Sequence, residues 1–106
     1  MVWNEPKEKA ITDSIIKWLN KTYQPEGYAW KIHGGEYSKS GMPDVAFLYR
    51  GRMAFFEVKR PSNPNQEGSD LQKQKMRILE FAGAPCFIVN SKQAVINLVE
   101  GGGANV

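Results

Sequence analysis

The chain has 106 residues, 42% of them hydrophobic and 24% charged, a net charge of +3 and a single cysteine. That is enough for one small domain with one core, and one thiol excludes an internal disulfide or a multi-cysteine metal site. Apolar runs such as Val45–Tyr49 and Met53–Phe56 fall far short of the roughly 20 residues of a membrane helix, and Met1-Val2-Trp3-Asn4-Glu5 lacks the basic-then-apolar order of a signal peptide; the expectation is a soluble, intracellular, cytoplasmic protein with no membrane partner.

A first helix is predicted from Pro6 to Lys21, where Pro6 suits the first turn and Ile11, Ile15, Trp18 and Leu19 recur at helical spacing. Pro25 and Gly27 close it. Tyr28-Ala29-Trp30-Lys31-Ile32-His33 alternates as a strand does and ends at Gly34-Gly35. After a loop through Pro43 comes a predicted hairpin with arms Asp44–Tyr49 and Arg52–Lys59, joined at Arg50-Gly51. The stretch from Pro61 to Gly68 is rich in turn residues and is expected to be mobile. Ser69 or Asp70 caps a second helix to about Ala82, with Leu71, Ile78, Leu79 and Ala82 on one face and Gly83 as its stop. Cys86–Val89 reads as a strand buried on both faces, with Cys86 a reduced core residue. Ser91 caps a last short helix carrying Val95, Leu98 and Val99. The order α-β-β-β-α-β-α predicts an α/β sandwich with a mixed sheet flanked by helices, as a single domain over residues 1–100 followed by a flexible Gly-rich tail, 101–106.

The positive charge is not spread evenly. Residues 1–27 and 61–106 are each balanced, and the whole excess of three falls in residues 28–60, which hold Lys31, Lys39, Arg50, Arg52, Lys59 and Arg60 against Glu36, Asp44 and Glu57. A phosphate backbone is drawn to such a face, and Lys31, Lys39, Arg50, Arg52 and Arg60 are candidate DNA contacts that give affinity rather than base reading. A solvated basic surface without a partner is the plain alternative. His33 reads as structural, and Trp3, Trp18 and Trp30 as core or interface residues.

Chemistry enters through the hairpin register. With Arg50-Gly51 as the loop, Tyr49 faces Arg52 and Asp44 faces Glu57. Like charges directly opposed on one face, with Cβ atoms about 5 Å apart, destabilise a sheet, and a bridging divalent cation is the evident reason to keep them. Lys59 lies two residues beyond Glu57 and so projects to the same face. Glu8 falls in the middle of the first helix's apolar stripe, where a carboxylate needs a partner or a metal; stabilisation by the helix dipole competes as an explanation.

Gly41-Met42-Pro43-Asp44, then Glu57-Val58-Lys59 after twelve residues, resembles the PD-(D/E)XK nuclease signature, and the ordered set from Glu8-Lys9-Ala10-Ile11 through Lys31, Phe55-Phe56-Glu57-Val58-Lys59-Arg60-Pro61 and Gln72 resembles more narrowly the VRR-NUC (virus-type replication–repair nuclease) domain, over almost the whole chain. The resemblance implies a restriction-endonuclease-like αβββαβ core and a DNA endonuclease dependent on Mg²⁺ or Mn²⁺, with no small-molecule cofactor. It implies hydrolysis to 5′-phosphate products on Holliday junctions or other branched DNA, in a homodimer of phage replication and repair type acting in a bacterial host. Asp44, Glu57 and the Val58 carbonyl carry over as metal ligands, Lys59 as the lysine that orients water or stabilises charge, Glu8 as an outer or second-metal acid, and Gln72 as a further site residue. A wheel of the second helix puts Gln74 and Lys75 inside the apolar arc and Gln72 only at its edge. The alternative is a non-catalytic DNA-binding module on the same fold.

Overall fold

A computed structural model describes residues 5–32 and 41–102. It contains α1 (Glu8–Tyr23), β1 (Gly27–Lys31), β2 (Val45–Tyr49), β3 (Arg52–Val58), α2 (Asp70–Phe81), β4 (Cys86–Val89) and α3 (Lys92–Glu100). The strands form one mixed sheet in the order β1-β2-β3-β4, antiparallel except for the β3–β4 pair. His33, Lys39, Trp3 and the tail beyond Gly102 lie outside the described residues.

The core occupies one face of the sheet. Ile11, Ile15 and Leu19 of α1 and Val95 and Val99 of α3 close over Ala29, Val45, Phe47, Ala54, Phe56, Val58 and Val89. Each fully buried Leu, Ile or Phe contributes about 1.5–3 kcal/mol relative to exposure, so this face carries most of the hydrophobic stabilisation. The Asn20 side chain fastens α1 to β1, accepting from Ala29 N at 2.8 Å and donating to Ala29 O at 2.9 Å, which satisfies backbone groups on the sheet's outer edge. Lys7 rather than Pro6 marks the start of α1, because its carbonyl is the first to accept a helical bond, from Ile11 N.

Among the described residues the other face is covered by α2 alone, and here two expectations are corrected. No residue of α2 is buried: Leu71 and Ile78 are exposed and Phe81 is 97% exposed. Its apolar stripe therefore does not point into this chain's own core. Cys86, Phe87 and Ile88 are half-buried rather than enclosed, because β4 is an edge strand with no neighbour beyond it. The half-buried Cys86 thiol is pushed up to about 11, first by burial and then by the charge of Glu80, which keeps it protonated and unreactive.

Residues 61–68 carry local hydrogen bonds of their own. Gln66 Nε2 donates to Arg60 O and to Asn63 O, both at 2.7 Å, and Asn63 Oδ1 accepts from Asn65 N. Caps form as the sequence predicts at Ser69, in a full capping box with Gln72, and at Ser91.

Candidate active site

Arg50 and Gly51 both have positive φ, 48° and 81°, which is the backbone of a two-residue type I′ turn. That turn sets Tyr49 against Arg52 and Val45 against Phe56, and one step further the same register sets Asp44 against Glu57. Both acids lie on the face under α2. Asp44 stands just ahead of β2, where its Oδ2 accepts from Val58 N at 2.8 Å and bridges the strands at the point where the ladder ends.

The Gly41-Met42-Pro43 run that delivers Asp44 has a steric logic. Gly41 has φ +66°, and a Cβ there would stand 2.8 Å from Leu71 Cγ and 2.9 Å from the Leu71 carbonyl oxygen. Only glycine lets the chain pass this close under the first turn of α2. Pro43 is fully buried and fixes the approach to β2.

Glu57 is 4% exposed. Its Oε2 accepts from Gln72 Nε2 at 2.6 Å and faces Lys59 Nζ at 3.3 Å, while Lys59 Nζ also donates to Gln72 Oε1 at 3.0 Å. Oε1 of Glu57 is buried with no partner among the described residues. Burial first, and the neighbouring Asp44 charge second, push the Glu57 carboxyl up to about 8, against the downward pull of Lys59. A buried acceptor left unsatisfied is costly, and two acids at one spot oppose each other's ionisation. A cation relieves both.

The residues fit a hard divalent ion. Mg²⁺ takes oxygen donors and keeps several waters, so it needs only one or two carboxylates from a protein. Asp44 and the orphaned Glu57 Oε1 are the carboxylate oxygens on hand for it. The two backbone polar groups of one strand residue point to the same edge; Val58 N–H is aimed at Asp44, so the Val58 carbonyl is turned to that side as well. Among the described residues, no group of three or more His, Cys, Asp or Glu side chains comes together. Glu8, the half-buried first residue of α1, is thus not gathered into one cluster with Asp44 and Glu57.

The remaining candidates are spread over the molecule. Gln72 is the residue of α2 that reaches the site, while Gln74 is exposed. Lys31 pairs with Val45, so its side chain leaves on the α1 face, opposite the acids. Arg50 is ion-paired to Glu26 and lies over the Tyr49 ring at 5.2 Å. With Arg52 it sits at the hairpin tip, roughly 17 Å along β3 from Glu57 at about 3.4 Å per residue. Arg60 directly follows Lys59 and meets Glu5 at 3.2 Å. That last contact, together with Ser62, was missed from the sequence; the partners are more than fifty residues apart and no local pattern announces them. An apolar cleft of about 420 Å³ between Pro6, Ile11, Pro61 and Lys92 contains none of the acids.

No family model matches the sequence, and no curated protein does. A solved structure described as a VRR_NUC domain is similar to this chain with a TM-score of 0.60 and 25% identity, over 84% of this chain and 94% of that one. The fold, with its paired acids and lysine, is that of a nuclease domain of the PD-(D/E)XK type. Within that class, the chain is similar to the VRR-NUC domains.

Proposed function

We propose that the protein is a divalent-metal-dependent DNA endonuclease that hydrolyses phosphodiester bonds at the Asp44–Glu57–Lys59 site, acts on branched DNA such as four-way junctions, and works as a homodimer of phage replication and repair type. The observation that carries the reading is the buried, unpartnered Oε1 of Glu57 beside Asp44. Asp44, Glu57 and the Val58 carbonyl would hold Mg²⁺ or Mn²⁺. Bound there, the ion supplies charge neutralisation at the phosphodiester and a more acidic water.

The chain's own residues do the rest. Asp44 is fixed by the Val58 amide, so its free oxygen is presented in one place. Lys59 carries three protons; Gln72 and Glu57 engage two of its directions, and the third serves the attacking water or a non-bridging phosphate oxygen. Its ammonium thereby positions water and offsets charge that grows in the transition state. Arg60, Lys31, Lys39, Arg50 and Arg52 are the proposed phosphate contacts.

The dimer rests on the bare side of α2. Ile78 and Phe81 are exposed there, and Tyr28 and Leu48 are exposed on the same face of the sheet. An apolar strip of this kind marks an interface, and a two-fold dimer brings two single sites to one DNA.

Incubating the protein with a synthetic four-way junction, a flap and plain duplex, with Mg²⁺, Mn²⁺ or EDTA, tests the reading. Metal-dependent cleavage lost in Asp44→Asn is expected. Salt-sensitive DNA binding with no cleavage under any metal would leave only the non-catalytic module.

A further inference from the structure

The Glu5 carboxylate is held in a way that resembles a bound anion more than a surface ion pair. Its Oε1 accepts from Ser62 N at 2.6 Å, and its Oε2 accepts from Ser62 Oγ and, at 3.2 Å, from Arg60 Nε. A backbone amide, a hydroxyl and a guanidinium thus converge on two oxygens of one negative group. The same three donor types are those that proteins turn toward the non-bridging oxygens of a DNA phosphate.

Place makes the likeness useful. Arg60 is the next residue after Lys59 and Ser62 is three residues on, so at no more than about 3.6 Å per residue the cradle lies within about 11 Å of the catalytic lysine's backbone. Arg60 is 49% exposed at its side chain and Ser62 is exposed, whereas the Glu5 side chain is only 11% exposed. The donors stand at the surface and Glu5 covers them. These contacts hold the Glu5 carboxyl below its ordinary range, the Ser62 hydroxyl contributing most, so at neutral pH the occupant is an anion.

We propose that Arg60 and Ser62 form a binding cradle for a backbone phosphate adjoining the one that is cut, and that the Glu5 carboxylate occupies this cradle until DNA displaces it. The proposal rests on the nuclease reading above and adds a phosphate subsite with its own internal competitor. Exchange is close to balanced, because the incoming phosphate brings the same charge to the same three donors. A weak or isolated anion does not displace a tethered carboxylate, but a polyanion held elsewhere on the surface does. Glu5 therefore tunes the chain against loose anions.

Binding of a labelled four-way junction in EDTA, where no cleavage occurs, tests this by fluorescence anisotropy. Glu5→Gln should bind about two- to fivefold tighter than the parent. Arg60→Ala should bind more weakly, with a salt slope shallower by about one. In the Arg60→Ala, Ser62→Ala background, Glu5→Gln should change nothing. Equal or weaker binding by Glu5→Gln, or a gain that survives in that background, overturns the proposal. Titration of inorganic phosphate while following the Ser62 amide by NMR gives a second reading that needs no cleavage: the resonance should stay still in the parent, where Glu5 holds the donors, and move in Glu5→Gln, and equal movement in both overturns the proposal. Absence of metal-dependent cleavage by the parent would instead count against the nuclease reading, and the phosphate titration still reports on the cradle.

Discussion

The side-chain amide of Gln72 stands 2.6 Å from the carboxylate of Glu57 while its oxygen accepts from Lys59 at 3.0 Å and from Ser69 N at 2.9 Å. One residue therefore completes the capping box of α2 and bridges the acid and the lysine of the site. Folding of the helix start and arrangement of the site are the same event. Gln72→Ala should lower stability by about 1 kcal/mol through the lost cap and reduce cleavage by more than that loss explains, whereas Ser69→Ala should lower stability alike with a smaller effect on rate. Thermal melts and single-turnover cleavage on the two variants separate these outcomes.

Asp44→Asn and Glu57→Gln should each reduce metal-dependent cleavage by at least about 100-fold, since a bound ion's charge is worth several kcal/mol at the transition state. Lys59→Met should fall comparably while metal binding, followed by calorimetry, is retained. Parent-like cleavage by any of the three would remove the site as described.

Stability should depend on pH in an uncommon direction. Glu57 titrates at about 8 when folded, against 4.5 for an ordinary glutamate, so between those values the folded chain holds a proton that the unfolded chain has released. The unfolded state then binds fewer protons, and stability falls as pH rises through that window. Melts in EDTA at pH 5, 7 and 9 should show a declining midpoint, flattened in Glu57→Gln. Excess Mg²⁺ should restore the midpoint most at pH 9, because metal takes the place of the proton.

Gly41→Ala puts a Cβ against the Leu71 backbone at a positive φ and should cost about 1–3 kcal/mol. Gly83→Ala has the same backbone handicap, φ +109°, with nothing near the added atom, and should cost less and leave cleavage intact. Denaturant midpoints for the pair test whether the close approach, rather than the dihedral alone, fixes glycine ahead of Asp44.

Ile78→Asp with Phe81→Asp should convert a dimer of twice 12.0 kDa into monomers by light scattering, with little loss of monomer stability because neither side chain is buried. An unchanged mass would place the interface elsewhere.

The hairpin was readable in advance because its register depends only on a short turn and residue numbers, and this alone brought Asp44, Glu57 and Lys59 to one face. Gln72 was blurred by the helical wheel. A wheel assumes that the apolar arc faces the chain's own core, and α2 buries nothing, so its arc gave no bearing on the site. For β4 the uninterrupted apolar run could not reveal an edge position, since position within the sheet is settled by partners far away in sequence. The Glu5 contacts with Arg60 and Ser62 were invisible for the same reason.

The tight turn at Arg50-Gly51 reaches beyond its own neighbourhood. A residue inserted at that tip and passed into one strand, rather than taken up by the turn, would slide that strand by half a pleat and send Asp44 and Glu57 to opposite sides of the sheet, although the lesion lies six residues from either acid. Drift in length at this loop is therefore tolerable only where the turn itself absorbs it. A remote surface loop thus acts as the reading frame of the reactive centre.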